Sequence, residues 1–343
     1  MRVEWPGREH WSWRGRVRAL VTGAGGFVGA HLVARLVSDG WDVVGTVRPG
    51  GSTSRLAALG AGPVEVVPVD LADPAAAAAV AAGSACDVAF LLAAARAATT
   101  AAERRTTAAV NGPSARWLVE ALPDRCRAVV RLGSSTEYGR LDGPLDEAVP
   151  LRPLGFFGAT KAAGSLAAAA AAAERGLRSA VLRAFQVYGP LDHPGRLVPS
   201  ALRAACSGEV LPLTGPGLRR DWVFVSDVVE ACVRAAKADD LPAGQVLNIG
   251  TGRQVANEEL VGEVARTTGR PVRVETGAHP GRDWDATSWV CDPALAGRLL
   301  GWRAEIDLPE GLARCWAAVQ QGDASPGPPA SLTSGRPAGH PRR

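Results

Sequence analysis

Between an apolar run at 17–22 and the helix-forming run Ala30-His31-Leu32-Val33-Ala34-Arg35-Leu36, the chain reads Thr22-Gly23-Ala24-Gly25-Gly26-Phe27-Val28-Gly29. Glycines at 23, 26 and 29 do three separate jobs: the first permits a tight turn, the second lets backbone approach a pyrophosphate, and the third lets helix pack closely on strand. The helix N-terminus then offers unpaired N–H groups and the positive end of its dipole to an anion. A Gly-rich turn that follows a strand and opens a helix begins a βαβ unit. It predicts a parallel sheet with a dinucleotide lying on Gly23, Gly26, Phe27, Val28 and Gly29.

The rest of the chain agrees with that start. Apolar runs at 17–22, 41–47, 64–69, 87–92, 127–133 and 178–184 alternate with helix-length segments near 27–39, 53–59, 74–82, 99–121 and 157–175. Continuous Val/Leu/Ala strands joined by helices predict a sheet covered on both faces by right-handed crossovers, an α/β, Rossmann-like doubly wound fold. After about residue 186, helices near 197–207, 226–238, 257–269 and 308–320 mix with short strands around 209–213, 222–225, 245–249 and 271–275. This predicts a smaller mixed α/β substrate lobe, with some segments returning to the sheet and a crevice between the lobes for substrate. The expected organisation is an N-terminal arm at 1–16 carrying Trp5, Trp11 and Trp13, a dinucleotide-binding domain at 17–185, the substrate lobe at 186–321, and a Pro/Gly/Ser-rich disordered tail at 322–343.

Composition narrows the function classes. With 343 residues, 47% hydrophobic and 21% charged, the chain has material for one large or two modest globular domains. A net charge of +4, spread along the chain, gives no warrant for nucleic acid or an anionic membrane as the main partner. Cysteines at 86, 126, 206, 232, 291 and 315 form no CxxC pair and no His/Cys cluster, so no metal site is expected and a reducing, cytoplasmic setting is. The first residues lack a signal-peptide h-region, and no stretch of about 18 apolar residues runs free of charge. Lysine plus arginine number 38, yet only Lys161 and Lys237 are lysine, and tyrosine occurs only at 138 and 188.

The second strand ends Val47-Arg48-Pro49 without the acid that would bind free ribose hydroxyls, and Arg55 follows shortly. An arginine there accommodates a 2′-phosphate, which favours NADP(H) while leaving NAD(H) possible. Asp70, with Leu71 after it, ends the third strand. It is placed either to reach an adenine or to cap the helix that follows Asp73-Pro74.

Further motifs appear in series: Leu91-Leu92-Ala93-Ala94, Asn111, Gly133-Ser134-Ser135-Thr136-Glu137-Tyr138-Gly139, Lys161, Arg183-Ala184-Phe185-Gln186-Val187-Tyr188-Gly189-Pro190, and Arg220-Asp221-Trp222-Val223-Phe224-Val225-Ser226-Asp227. In this order and spacing the chain, over about 17–320, resembles the extended short-chain dehydrogenase/reductases, the NAD(P)-dependent nucleotide-sugar epimerases, dehydratases and ketoreductases. The resemblance implies that Ala93 and Ala94 lie beside the cofactor. It implies that Ser135 binds the sugar hydroxyl or keto oxygen, and that Lys161 holds the nicotinamide ribose. In that family the lysine also lowers the pKa of a tyrosine four residues before it.

That tyrosine is replaced. Pro153-Leu154-Gly155-Phe156-Phe157-Gly158-Ala159-Thr160-Lys161 puts Phe157 in its place, keeping the ring and losing the ionisable hydroxyl. General acid/base catalysis is typically worth about 100- to 10,000-fold, so a substitute is needed. Tyr138, Glu137 and a water relayed by Ser135 are candidates, with Tyr138 or water preferred; His193 is a further loop residue able to donate a proton. For substrate, the resemblance places Gln186 where an asparagine contacts the diphosphate. Arg220 and Arg282 have the bidentate chemistry that phosphate oxygens need. The expectation is an NADP(H)-dependent enzyme acting at C4 of the hexose of a nucleoside diphosphate sugar, most simply a 4-keto sugar reductase. A 4-epimerase or dehydratase with tightly held NAD(P), and a nucleotide-sugar binding protein that has lost its chemistry, are the alternatives. A homodimer is expected through helices 99–121 and 157–175.

Overall fold

In a computed structural model of the chain, residues 16–96, 99–141, 143–279 and 287–322 are described. The expected arm apart from Arg16, the tail beyond Gly322, and Arg282 lie outside them. The first half runs β1 (Arg18–Thr22), α1 (Phe27–Ser38), β2 (Asp42–Val47), α2 (Ser54–Ala58), β3 (Glu65–Pro68), α3 (Pro74–Gly83), β4 (Val88–Leu91), α4 (Ala101–Asn111), α5 (Ser114–Glu120) and β5 (Ala128–Ser134). It continues through a 3-10 turn at Ser135–Glu137 to β6 (Pro144–Leu145), α6 (Phe156–Glu174), β7 (Arg178–Ala184) and β8 (Gln186–Tyr188). The second half comprises α7 (Leu197–Ser207), β9 (Leu211–Leu213), β10 (Arg219–Phe224), α8 (Val225–Lys237), β11 (Gln245–Ile249), β12 (Gln254–Ala256), α9 (Asn257–Thr268), β13 (Val274–Thr276), β14 (Ser288–Cys291), α10 (Ala294–Leu300) and α11 (Leu308–Gln320).

Seven strands form one sheet in the order β11-β7-β5-β4-β1-β2-β3, every neighbouring pair parallel. Successive side chains of a strand point to opposite faces, and here both faces are covered. Ala19 and Val21 of β1 join Leu32 and Leu36 of α1 and Val228 of α8 in one core, whereas Leu20 joins Ala77 of α3, Leu118 of α5 and Ala168 of α6 in another. This is why the strands read as unbroken apolar runs. The strand order reverses direction between β1 and β4, and a ligand crevice opens outside the carboxyl ends of strands at such a point.

The helix predicted over 99–121 is two helices, α4 and α5, because Pro113 has no N–H to donate and its ring crowds the preceding turn. Downstream, β11 returns to the edge of the main sheet, and α8 packs beside α1. A second, mixed sheet is built on β10, antiparallel to β12 and parallel to β14 and β8, with β6 beside β14. The two sheets meet at the end of β5, where Trp289 of β14 donates its indole N–H to the carbonyl of Gly139 at 3.0 Å. Among the described residues, no helix is long and apolar enough to cross a membrane.

Candidate active site

At the crevice, α1 starts at Phe27 with Gly26 as its N-cap and no side-chain cap, so the first N–H groups of the helix face outward unclaimed by the chain's own side chains. A Cβ on Gly29 would drive into the carbonyl oxygen of Gly23, so this approach of helix to turn needs glycine. Phe27 and Val28 are half-buried on the first turn. The hydroxyl of Thr22 receives the N–H groups of Leu92 (3.1 Å) and Ala93 (3.2 Å), which stitches the ends of β1 and β4 together. Ala93 stands against Gly23, and Ala94 is exposed beyond it. A bare helix N-terminus with glycine-lined turns on one side and alanines on the other fits the diphosphate and sugars of a dinucleotide.

Around the adenosine end the structure sorts the expected contacts. Arg48 is exposed at the end of β2, beside the Gly51 turn. Arg55 is committed elsewhere: its guanidinium donates to the carbonyls of Leu191 (2.9 Å) and Gly25 (3.3 Å), bracing the Gly-rich turn against the loop after β8. Asp70 is exposed and its carboxylate accepts the N–H of Ala72 at 2.9 Å, a local turn leading to α3, while Leu71 is buried in the core. The cap of α3 itself is Asp73.

The catalytic end lies where β5 stops. Lys161, on α6, is 3% exposed, and its ammonium donates to the carbonyl of Leu132. Desolvation, with the neighbouring Arg131 cation adding to it, pushes its pKa down to about 7. Arg131 is itself buried; one guanidinium nitrogen donates to the Asn111 carbonyl and Nε has no partner. Phe157 lies one helical turn before Lys161, half-buried, with the guanidinium carbon of Arg96 5.5 Å from its ring centroid.

Three expected participants are placed elsewhere. Tyr138 is fully buried: its hydroxyl donates to Asn248 Oδ1 at 2.8 Å, and Arg183 covers its ring, 4.6 Å from the centroid. Burial pushes its phenol pKa up, away from a working acid. Glu137 is fully buried as well, paired with Arg183 at 3.1 Å and accepting from the Ser134 N–H and the Ser165 hydroxyl. Neither side chain reaches the cleft, so neither stands in for the absent phenol hydroxyl. Ser135 is 6% exposed, whereas its neighbours Ser134 and Thr136, whose hydroxyls are 2.8 Å apart, are half-buried. Sequence reasoning misses those two, although they flank Ser135; only the path of the chain leaving β5 decides which of the three residues is most buried. The imidazole of His193 is exposed and accepts the Gly195 N–H at 3.1 Å.

On the substrate side, register pairs Gln186 with Trp222, which sets Arg220 two residues along β10 from Gln186. Arg220 is buried, lies over the Trp289 ring at 4.9 Å and donates to the Arg219 carbonyl. Asp221 is no surface ion pair: it is buried and accepts N–H groups from Thr251, Gly252 and Cys291. The fold defines an α/β protein with a Gly-rich turn at the switch point of a parallel sheet and a second, mixed sheet beside the end of β5. Residues 19–250 match the NAD dependent epimerase/dehydratase family, and the chain belongs to that family. It is similar to a UDP-glucose 4-epimerase of Mycolicibacterium smegmatis, 31% identical over 87% of this chain and 97% of the relative. A dTDP-glucose 4,6-dehydratase of Streptomyces griseus is 30% identical over 86% and 91%. Among solved structures, MoeE5 in complex with UDP-glucose and NAD superposes with a TM-score of 0.79 at 32% identity, covering 89% of this chain and 99% of MoeE5. The protein is thus an NAD(P)-type nucleotide-sugar enzyme of the short-chain dehydrogenase/reductase kind.

Proposed function

We propose that the protein reduces the 4-keto group of a nucleoside diphosphate hexose, using NADP(H) in preference to NAD(H). The observation that carries this reading is a site where hydroxyls and the buried Lys161 surround Phe157, a ring that brings no phenol to serve as acid or base. Oxidising a neutral alcohol needs a base to take its proton. A ketone that receives hydride becomes an alkoxide, basic enough to take its proton from water. A bound nicotinamide would supply the hydride. Ser134 and Thr136 would hold the keto oxygen, with Ser135 supporting their turn, and the Lys161 ammonium would bind the ribose and contribute positive charge. Arg220 and Gln186 would hold the diphosphate; Arg282, outside the described residues, is assigned to the same task from the sequence alone. The NADP(H) preference rests on the exposed Arg48 and the missing acid at the end of β2. A homodimer through α4 and α6 belongs to the same reading; Leu166, on α6, is 62% exposed.

The test is direct. The 4-keto product of a dTDP-glucose 4,6-dehydratase, offered with NADPH, should cause loss of the reduced-nicotinamide absorbance, and Ser134→Ala with Thr136→Val should lower the rate at least about tenfold, the worth of one or two hydrogen bonds to developing charge. The relatives favour a second reading, a 4-epimerase or dehydratase that recycles tightly bound NAD(P), of which the epimerase is tested first. Interconversion of UDP-glucose and UDP-galactose without added nicotinamide nucleotide, with oxidised cofactor released on denaturation, would establish it and overturn the reductase.

A further inference from the structure

Arg96 follows Ala93 and Ala94 on the loop after β4, at the switch point of the sheet, and it is exposed. Thr22 holds the start of this loop, and Asn111 holds the part next to Arg96. Asn111 accepts the Ala95 N–H at 2.8 Å, donates to the Ala95 carbonyl at 2.9 Å, and donates to Thr160 Oγ1 at 3.0 Å. Thr160 in turn donates to the carbonyl of Phe157 at 2.9 Å. The amide of Asn111 therefore fixes the Arg96 loop to the helix turn that carries Phe157, and Arg96 covers the Phe157 ring as a result. Arg96 lies close enough to Lys161 and to Asp192 to bias the charge of both. It stands between the expected nicotinamide end of the cleft and the loop after β8.

An aromatic ring without a hydroxyl offers no hydrogen bond to a sugar, but its face attracts a cation. A guanidinium remains charged throughout the working pH range, so it holds an oxygen without exchanging a proton with it. We propose that Arg96, seated on Phe157, is a sugar-binding residue that donates charged N–H bonds to the hexose oxygens nearest the ring. It supplies charged donors over the face of a ring that carries no hydroxyl of its own. Phe157 is then a platform for the cation, which accounts for a ring being retained while its hydroxyl is absent. The proposal rests on the nucleotide-sugar reading above.

Calorimetric titration of UDP-glucose and of UDP into the protein, with Arg96→Gln, Arg96→Lys and Phe157→Leu variants, tests it by binding rather than turnover. Arg96→Gln should weaken UDP-glucose at least about tenfold, as expected for a lost charged hydrogen bond, while UDP changes less than about twofold. Arg96→Lys should retain part of the difference, and Phe157→Leu should follow Arg96→Gln in direction. Unchanged NADPH affinity and circular dichroism in each variant show that the fold is intact. Equal losses for UDP and UDP-glucose would make Arg96 a diphosphate ligand and overturn the proposal, as would no loss for either. If the unaltered protein binds UDP but UDP-glucose no better, the sugar contact fails while the nucleotide site stands. If it binds neither nucleotide, nor their dTDP counterparts, the nucleotide-sugar reading fails first, and this inference with it.

Discussion

Lys161 shows what a single residue can disclose and what it withholds. In a chain that writes arginine almost everywhere, a lysine one turn after an aromatic marks a required ammonium, and the structure buries that ammonium beside Arg131. Two cations in one desolvated place are costly to the folded protein. The sign follows from proton counting: from about 7 up to the ordinary 10.5, the unfolded chain holds a proton that the folded chain lacks. The penalty is complete below about pH 7 and fades as pH rises through that window. Lys161→Met should therefore stabilise the cofactor-free protein at pH 6, by roughly 2 kcal/mol or more, since each tenfold loss of proton affinity on folding costs about 1.4 kcal/mol. Its advantage should shrink toward pH 10 while NADPH affinity is lost; denaturant unfolding and NADPH titration at several pH values measure the two. The neighbouring residues were less readable. Tyr138, Glu137 and Ser135 carry the right chemistry in sequence, but Arg183 and Asn248 draw two of them into the interior. Those partners lie tens of residues away, and no local pattern announces them.

At the scale of elements, the parallel sheet was legible because central strands such as β1, β4 and β5 are apolar on both faces and helices such as α1 and α6 are long enough to stand out between them. In the second lobe the four long helices and strands such as β9, β10 and β11 were legible too, but two members of its sheet were not: β6 has two residues and β8 three, and each exists through pairing with a distant strand. Helix α6 adds a constraint visible only in three dimensions. A Cβ on Gly164 would run into the Asn111 carbonyl and the Arg131 guanidinium, so α6 approaches α4 as closely as it does because this residue has no side chain. Gly164→Ala improves helix propensity yet should destabilise the protein by about 1–3 kcal/mol through overpacking. Because Asn111 positions the Arg96 loop, the same change should weaken UDP-glucose more than UDP. Thermal unfolding and the titrations above report the two effects separately.

Across the whole molecule, the lobes are tied by polar contacts that sit at functional edges. Trp289 joins the second sheet to the turn after β5, and Arg55 joins the Gly-rich turn to the loop after β8. The loop end of the Arg55 tie is Leu191, a non-glycine residue with φ of 63°, a strained backbone that the surrounding bonds must hold in place. Arg55→Ala removes the tie without touching a residue assigned to either ligand. It should leave the affinity for NADPH alone within a fewfold, and change instead how much NADPH improves the affinity for UDP-glucose; titrating UDP-glucose with and without saturating NADPH measures the difference.

A brace shared by two binding sites makes them informants of one another. A guest that steadies the Gly-rich turn should steady, through Arg55, the loop after β8 as well. By thermodynamic reciprocity any such gain must run both ways by the same factor, so UDP-glucose should improve the affinity for NADPH as much as NADPH improves that for UDP-glucose.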